Sequence, residues 1–185
     1  MSFNGKEITL INFLVAFYKN KIELFNDIIT QKTPLSLRLL DWLVTNYSKK
    51  YNITYPIKNS SETIYFNIYI DYKNQLKAYS KKYFDPFCRQ KRLIIDQNTF
   101  KWRTYTAEEN ITKKDTITTV GQLNFFRWFI ENKVMEYALN NVELIDRDMM
   151  ATVNAKKKGK RSVLSPSAVK GIYTNNYDIT IKFKP

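Results

Sequence analysis

The segment from Thr119 to Tyr137 constrains the fold most, because it is the most apolar helical stretch in the chain. Its apolar side chains recur at helical spacing over a wide arc, and these are Leu123, Phe125, Phe126, Trp128, Phe129, Ile130, Val134 and Tyr137. An arc this wide is typical of a helix that is buried on most of its surface. Thr119 and Gln122 match the capping box that begins a helix. We therefore expect this helix at the centre of the core.

Two amphipathic helices are predicted ahead of this segment. The first covers residues 7–30, with Asn4 and Glu7 as its capping pair. The second begins at Thr33-Pro34, a capping hydroxyl followed by proline, and runs to about Lys50. Steps of three and four predict buried faces made of Ile11, Leu14, Tyr18, Ile22, Phe25 and Ile29 in the first helix and Leu35, Leu39, Trp42, Leu43 and Tyr47 in the second.

Alternating apolar residues predict a small antiparallel sheet. Residues 63–70 alternate over eight positions, and residues 92–95 and 99–105 form two short strands around a turn. Residues 107–116 are predicted to be a polar connector. A short helix from Val142 to about Val153 and a hairpin over residues 172–183 complete the chain. The expected fold class is α+β, with helices packed on a small antiparallel sheet and a C-terminal β-hairpin, in a single domain over residues 1–185.

Positive charge is concentrated in two blocks of the sequence. The 30 Lys and Arg outnumber the 17 Asp and Glu, for a formal net charge of +13. Residues 71–103 carry +6 and residues 155–185 carry +7, whereas residues 104–154 carry −3. A segregated positive field favours polyanions, with nucleic acid first and an anionic membrane face second. A solvated, lysine-rich surface is the alternative interpretation.

The first basic block begins with a predicted helix that starts at Asp71 and ends at Asp85-Pro86. Its spacing places Tyr72, Leu76, Tyr79 and Tyr83 in an apolar stripe beside a row of Lys73, Lys77 and Lys81. The strand over 99–105 alternates basic and aromatic residues, which suits either a stacking platform for bases or an ordinary half-buried strand. The candidate phosphate-binding residues of this block are Lys73, Lys77, Lys81, Lys82, Arg89, Lys91, Arg92, Lys101 and Arg103.

The second basic block contains residues 155–168, which have low complexity and are predicted to form a mobile internal loop. Its cationic cluster suits phosphate contact or nuclear import and consists of Lys156, Lys157, Lys158, Lys160 and Arg161. Phosphate contacts position a protein without reading bases, so weak sequence specificity is expected. A solvated charged loop is the alternative interpretation.

Several functional classes are excluded or disfavoured by composition. The chain has no histidine and a single cysteine, Cys88, which excludes a Cys/His zinc site, a Ser-His-Asp triad and an internal disulfide. With four glycines there is no Gly-rich phosphate loop, and no cofactor is predicted. The longest near-continuous apolar run, 10–18, is too short to span a bilayer. No catalytic or metal-binding residue is predicted.

Two alternatives to nucleic-acid binding stay open at this stage. In the first, the basic blocks bind an acidic protein partner, which would make the chain a structural or interaction protein. In the second, Glu62, Asp71 and Lys73 belong to a metal-dependent nuclease, since Asp71-Tyr72-Lys73 has the acid-x-Lys spacing of such enzymes. Ordinary surface charge explains the same residues. Asp146 and Asp148, which flank an arginine, are interpreted as a solvated helix face.

Three sequence runs carry a resemblance to a known family. They are LRLLDWLVTNYSKK at 37–50, YKNQLKAYSKKYFDPFCR at 72–89 and TTVGQLNFFRWFIENKVMEY at 118–137. In this order they resemble an uncharacterised protein family of nucleocytoplasmic large DNA viruses, the giant viruses. The resemblance implies a viral origin and hence an intracellular location: host cytoplasm or viral factory, nucleus, or virion. It implies no catalytic residue and no mechanism.

Overall fold

A computed structural model describes residues 2–58, 62–107 and 110–158, with the side chains of 156–158 excepted. Backbone contacts place residues 1–149 in one compact unit and residues 150–185 in a second. The second unit is described only through residue 158, as the helical end of α8 (Val142–Lys158). The expectation of a single domain over 1–185 stays a prediction.

The predicted helix over residues 7–30 is two helices, α1 (Gly5–Tyr18) and α2 (Ile22–Ile29). The capping pair at the start of α1 is confirmed: the Asn4 side chain accepts the Glu7 N–H at 2.9 Å, and the Glu7 carboxylate accepts the Asn4 N–H at 2.9 Å. The chain turns between the helices at 19–21, so that both apolar faces reach the core. Periodicity alone does not detect this turn, because the apolar steps continue across it.

The second predicted helix begins later than expected. Ser36, rather than Thr33, is the N-cap of α3 (Leu37–Trp42), and its hydroxyl accepts the Leu39 N–H at 3.1 Å. A π-helical turn, Leu43–Tyr47, and a short α4 (Ser48–Lys50) continue the helix. Of the predicted buried residues of this helix, only Trp42 is half-exposed. Leu35 is fully buried, because the chain enters the core ahead of the helix rather than within it.

The described residues form two small antiparallel sheets. In the first, β1 (Thr54–Lys58) pairs with β2 (Thr63–Asn67), and in the second the strand order is β4-β3-β5, with β3 (Arg92–Asp96), β4 (Trp102–Thr104) and β5 (Asp115–Thr119). The sequence patterns do not predict β1 or β5, since β5 falls at the end of the supposed polar connector. The predicted strand over 63–70 is wrong beyond Asn67, whose side chain accepts the Ile70 N–H at 3.0 Å and begins the next helix.

That helix, α5 (Ile68–Tyr83), carries four of the nine cations of the first basic block, Lys73, Lys77, Lys81 and Lys82. Its helical geometry breaks at Ser80, which has φ 55° and ψ 170°. The break divides the predicted row, because Lys73 and Lys77 precede it and Lys81 follows it. Phe84, Asp85 and Pro86 are buried, so the chain after α5 turns into the core rather than continuing along the surface.

The helix α6 (Val120–Glu131) lies at the centre of the core, as the sequence predicted. Phe125, Phe126, Trp128 and Phe129 are each at most 1% exposed and pack against one another. Thr119 is its N-cap, accepting the Gln122 N–H at 3.1 Å. The predicted single helix ends at Glu131, because Lys133 adopts the left-handed conformation with φ 55° and starts α7 (Val134–Asn140).

The α+β fold class is confirmed, with helices packed beside small antiparallel sheets. The predicted C-terminal hairpin at 172–183 and most of the predicted loop at 155–168 lie outside the described residues. The start of that loop is wrong, because α8 extends through Lys158 and therefore past Val153. No helix in the described part of the chain is long and apolar enough to cross a membrane.

Candidate nucleic-acid interface

The lysines of α5 form an exposed surface. Lys73, Lys77, Lys81 and Lys82 are all exposed, and the four-residue step from Lys73 to Lys77 puts both on one face of the helix. Within the described residues, Lys73, Lys77 and Lys81 have no carboxylate at ion-pair distance. These three ammonium groups are therefore available to an external anion.

The turn after α5 is held by polar side chains of α6. Asn124 donates to the Tyr83 carbonyl at 3.0 Å, and Gln122 donates to the Pro86 carbonyl at 3.0 Å. Gly121 lies so close that a Cβ at this position would stand 3.1 Å from the Lys82 carbonyl oxygen. Sequence reasoning missed this anchoring, although polar residues within the most apolar helix were the signal for it. The C-terminal end of α5 is thus fixed to the core.

Arg89 is engaged with a buried carboxylate. Its Nε and Nη2 donate to the two oxygens of Asp85 at 3.0 and 2.5 Å. Asp85 is only 5% exposed, so the guanidinium offsets the cost of a buried charge. Burial raises the pKa of nearby Asp41, with the Asp85 charge adding to the effect and Arg89 and Lys81 opposing it. Arg89 therefore serves mainly to balance the buried charge of Asp85, which weakens its predicted role in phosphate binding.

Lys82 and Lys91 line the same cleft beside the first turn of α1. The Lys82 ammonium lies 3.0 Å from Glu7 Oε1, which also accepts the Tyr83 hydroxyl at 2.8 Å. The Asn4 backbone N–H, the Tyr83 hydroxyl and Lys82 together lower the pKa of Glu7 from 4.5 to about 2. The Lys91 ammonium lies 3.7 Å from the centre of the Phe3 ring. Tertiary structure thus brings Phe3 and Glu7, near the start of the chain, to Lys82 and Lys91, and the sequence patterns did not predict these contacts.

Two of the cations in or beside the second sheet, Arg103 and Arg92, already have partners within the protein. Arg103 donates to Asp115 at 3.1 and 3.3 Å, and this pairing is the main cause of the lowered pKa of Asp115. Arg92 lies over the Tyr105 ring at 5.8 Å. Lys101 is exposed, and among the described residues it has no carboxylate partner. β4 is half-buried along its length, in agreement with the ordinary-strand interpretation.

The second predicted cluster is only partly described. Lys156, Lys157 and Lys158 belong to the last turn of α8, whereas Lys160 and Arg161 lie outside the described residues. Their role in phosphate binding stays a prediction.

Asp71, a candidate of the nuclease alternative, has structural partners. Asp71 Oδ1 accepts the Trp128 indole N–H at 2.5 Å and the Gln75 amide at 3.4 Å. Burial raises the pKa of the Cys88 thiol despite the neighbouring Arg92, which favours the neutral thiol. Across residues 2–58, 62–107 and 110–158, no group of three His, Cys, Asp or Glu residues is placed to hold a metal ion.

Asp148 is not on a solvated face, and that interpretation is wrong. It is 8% exposed and accepts hydrogen bonds from Trp42 Nε1 at 3.0 Å, the Tyr51 hydroxyl at 3.0 Å and the Lys50 ammonium. Burial alone would raise the pKa of Asp148, but these donors outweigh it and lower the pKa. Asp148 therefore joins α8 to the end of α4.

Comparison with known proteins identifies relatives without assigning an activity. The model of a family described as "Family of unknown function (DUF7197)" matches residues 1–181. An uncharacterized protein of Acanthamoeba polyphaga mimivirus is 37% identical over 163 residues, which is 86% of this chain and 60% of the relative. The chain thus spans less than two thirds of that relative's length. No solved structure matches the chain. The resemblance to an uncharacterised giant-virus family is confirmed, and this chain belongs to the family DUF7197.

Proposed function

We propose that this protein is a non-enzymatic viral nucleic-acid-binding protein that contacts phosphates through the exposed lysines of α5. The observation that carries the proposal is that Lys73, Lys77 and Lys81 are exposed and, within the described residues, have no ion-pair partner. Lys91, Arg92 and Lys101 extend the positive surface. Lys82, Arg89 and Arg103 contribute less, because each is paired with a carboxylate.

Phosphate contacts of this kind give weak sequence specificity. The protein would then accompany viral genome packaging, replication or transcription rather than recognise one site. Lys156, Lys157, Lys158, Lys160 and Arg161 would add a second contact region.

Salt-dependent fluorescence anisotropy with labelled DNA and RNA tests the proposal. Each phosphate neutralised on a duplex contributes about −0.9 to the slope of log K against log salt. The triple variant Lys73→Gln/Lys77→Gln/Lys81→Gln is expected to bind more weakly and to show a slope shallower by roughly 0.9 for each phosphate that is no longer neutralised. Absence of binding by the wild type at low salt would refute the proposal.

A matched control separates local phosphate binding from net charge. The variant Lys113→Gln/Lys114→Gln/Lys133→Gln removes the same number of charges from exposed lysines outside the basic block. It is expected to keep most of the affinity and slope. An equal fall in affinity for both triple variants would mean that the α5 lysines are not a site.

A protein partner is the second candidate function. Ile64, Tyr65 and Ile70 are 49%, 76% and 59% exposed where β2 meets α5, and large exposed apolar side chains beside cations suit an acidic protein. The test is to pull the protein down from infected cells, treat the captured material with nuclease, and measure the mass of any remaining complex by size-exclusion chromatography with light scattering. A discrete complex that Tyr65→Ser abolishes would support this candidate, and loss of the complex on nuclease treatment would contradict it.

A further inference from the structure

A groove runs along the first turn of α1 and is bounded by the end of α5, the chain before β3 and the start of α6. Its larger part has a volume of about 430 Å³, within the size range of small-ligand pockets. A smaller cleft of about 220 Å³ shares Asn4, Glu7 and Tyr83 with it, and the two together are called the groove. All of its lining residues belong to the compact unit 1–149.

The residues that line the groove carry a net positive charge. Among the described residues, its lining includes Lys6, Lys82 and Lys91 but only one carboxylate, Glu7. Both oxygens of Glu7 are already engaged: Oε2 accepts the Asn4 N–H, and Oε1 accepts the Tyr83 hydroxyl and the Lys82 ammonium. Because the Glu7 charge is balanced by Lys82, the remaining lysines favour an anion at the rim.

The walls of the groove are apolar and aromatic. Phe3, Tyr83 and Val120 line it, and ammonium groups lie over both rings, with Lys91 at 3.7 Å from the centre of Phe3 and Lys82 at 4.8 Å from that of Tyr83. The exposed Gln90 side chain stands at the edge and has no hydrogen-bond partner among the described residues. The groove therefore presents a flat apolar wall, an amide and flanking cations together.

We propose that this groove takes one base of a single-stranded nucleic acid, with the Tyr83 ring as the stacking surface and Lys6 and Lys91 at the adjacent phosphates. The inference rests on the proposed function and names its substrate class. Bases of single strands can be splayed out and stacked on aromatic side chains, whereas paired bases in a duplex are not available to a groove. The α5 lysines would follow the backbone outside it.

The experiment compares a single strand carrying a central 2-aminopurine with the duplex of the same sequence. Anisotropy of an end label gives affinity, and 2-aminopurine fluorescence reports stacking. The wild type is expected to prefer the single strand, and its 2-aminopurine signal is expected to change on saturation. Tyr83→Leu is expected to lower single-strand affinity by at least about fivefold, as for removal of one base–aromatic stack, with little change for the duplex.

Phe13→Leu is the control, because Phe13 is an aromatic residue of α1 that is 56% exposed and does not line the groove. It is expected to bind like the wild type. Single-strand preference that survives Tyr83→Leu, or an unchanged 2-aminopurine signal in the saturated wild-type complex, would overturn the inference. The 2-aminopurine signal of the wild-type complex tests the inference even if Tyr83→Leu does not fold. Equal affinity for the single strand and the duplex would overturn the inference about the groove but leave the proposed function intact. Binding of neither nucleic acid would overturn both the inference and the proposed function.

Discussion

The indole Nε1 of Trp128 lies 2.5 Å from Oδ1 of Asp71, which joins the first turn of α5 to the centre of the core. Trp128 is 1% exposed, so its N–H depends on this acceptor rather than on water. Asp71, which the sequence made a candidate metal ligand of a nuclease, thus anchors α5 to the core.

Asp71→Ala is expected to lower the free energy of unfolding by about 1–3 kcal/mol, because it leaves the buried indole N–H without an acceptor. Urea unfolding followed by tryptophan fluorescence measures this change. Glu62→Ala removes an exposed carboxylate and is expected to stay within about 0.5 kcal/mol of the wild type. Equal stability of the two variants would contradict the anchoring role of Asp71.

Gly121→Val is expected to destabilise the protein by about 1–3 kcal/mol, because added carbon atoms overpack the site. Its Cβ would stand 3.1 Å from the Lys82 carbonyl oxygen and 3.4 Å from the Asp85 nitrogen. Gly5→Val is the matched control, since a Cβ there meets nothing within 4 Å. Thermal unfolding compares the two, and a tolerated Gly121→Val would show that the turn after α5 can move away from α6.

Protonation of Glu7 is expected to weaken the fold in acid. Its pKa falls from 4.5 to about 2 on folding, so its charge contributes stability above about pH 4.5, and that contribution is lost as the pH falls toward 2. Glu7→Gln keeps a capping residue but removes the charge. The difference in unfolding free energy between wild type and Glu7→Gln should therefore shrink between pH 4.5 and 2. A difference independent of pH would rule out this titration.

Asp148→Ala is expected to cost about 1–3 kcal/mol, because it removes the charged acceptor of the hydrogen bonds from Trp42, Tyr51 and Lys50. Asp146→Ala changes a neighbouring acid that is more exposed and should alter stability by less than about 0.5 kcal/mol. Urea denaturation of both variants distinguishes the residues. If both changes were small, Asp148 would not be a structural link between α8 and α4.

Several features were predictable because they depend on neighbouring residues. The capping box of Asn4 and Glu7, the Thr119 cap and the deep burial of α6 each follow from a pattern within a few turns of helix. The turn between β3 and β4 is also predictable, and there Asp96 accepts the Asn98 and Thr99 N–H groups at 2.9 and 2.7 Å.

Other features escaped prediction because local patterns do not reveal them. The break at Ser80 and the start of α5 at Ile68 interrupt patterns that continue unchanged in the sequence. The Thr-rich residues of β5 lack apolar alternation and therefore resemble a polar connector, and only pairing with β3 defines them as a strand.

Sequence patterns alone establish the fold class, the central helix, the family and the concentration of positive charge in the first basic block. Which of those charges remain available depends on tertiary contacts. Lys82 pairs with Glu7 and Arg103 with Asp115, whereas Lys73 and Lys77 face solvent. The physical reason is distance along the chain: Tyr83 reaches Glu7 across 76 residues and Trp42 reaches Asp148 across 106, and no periodicity encodes such contacts.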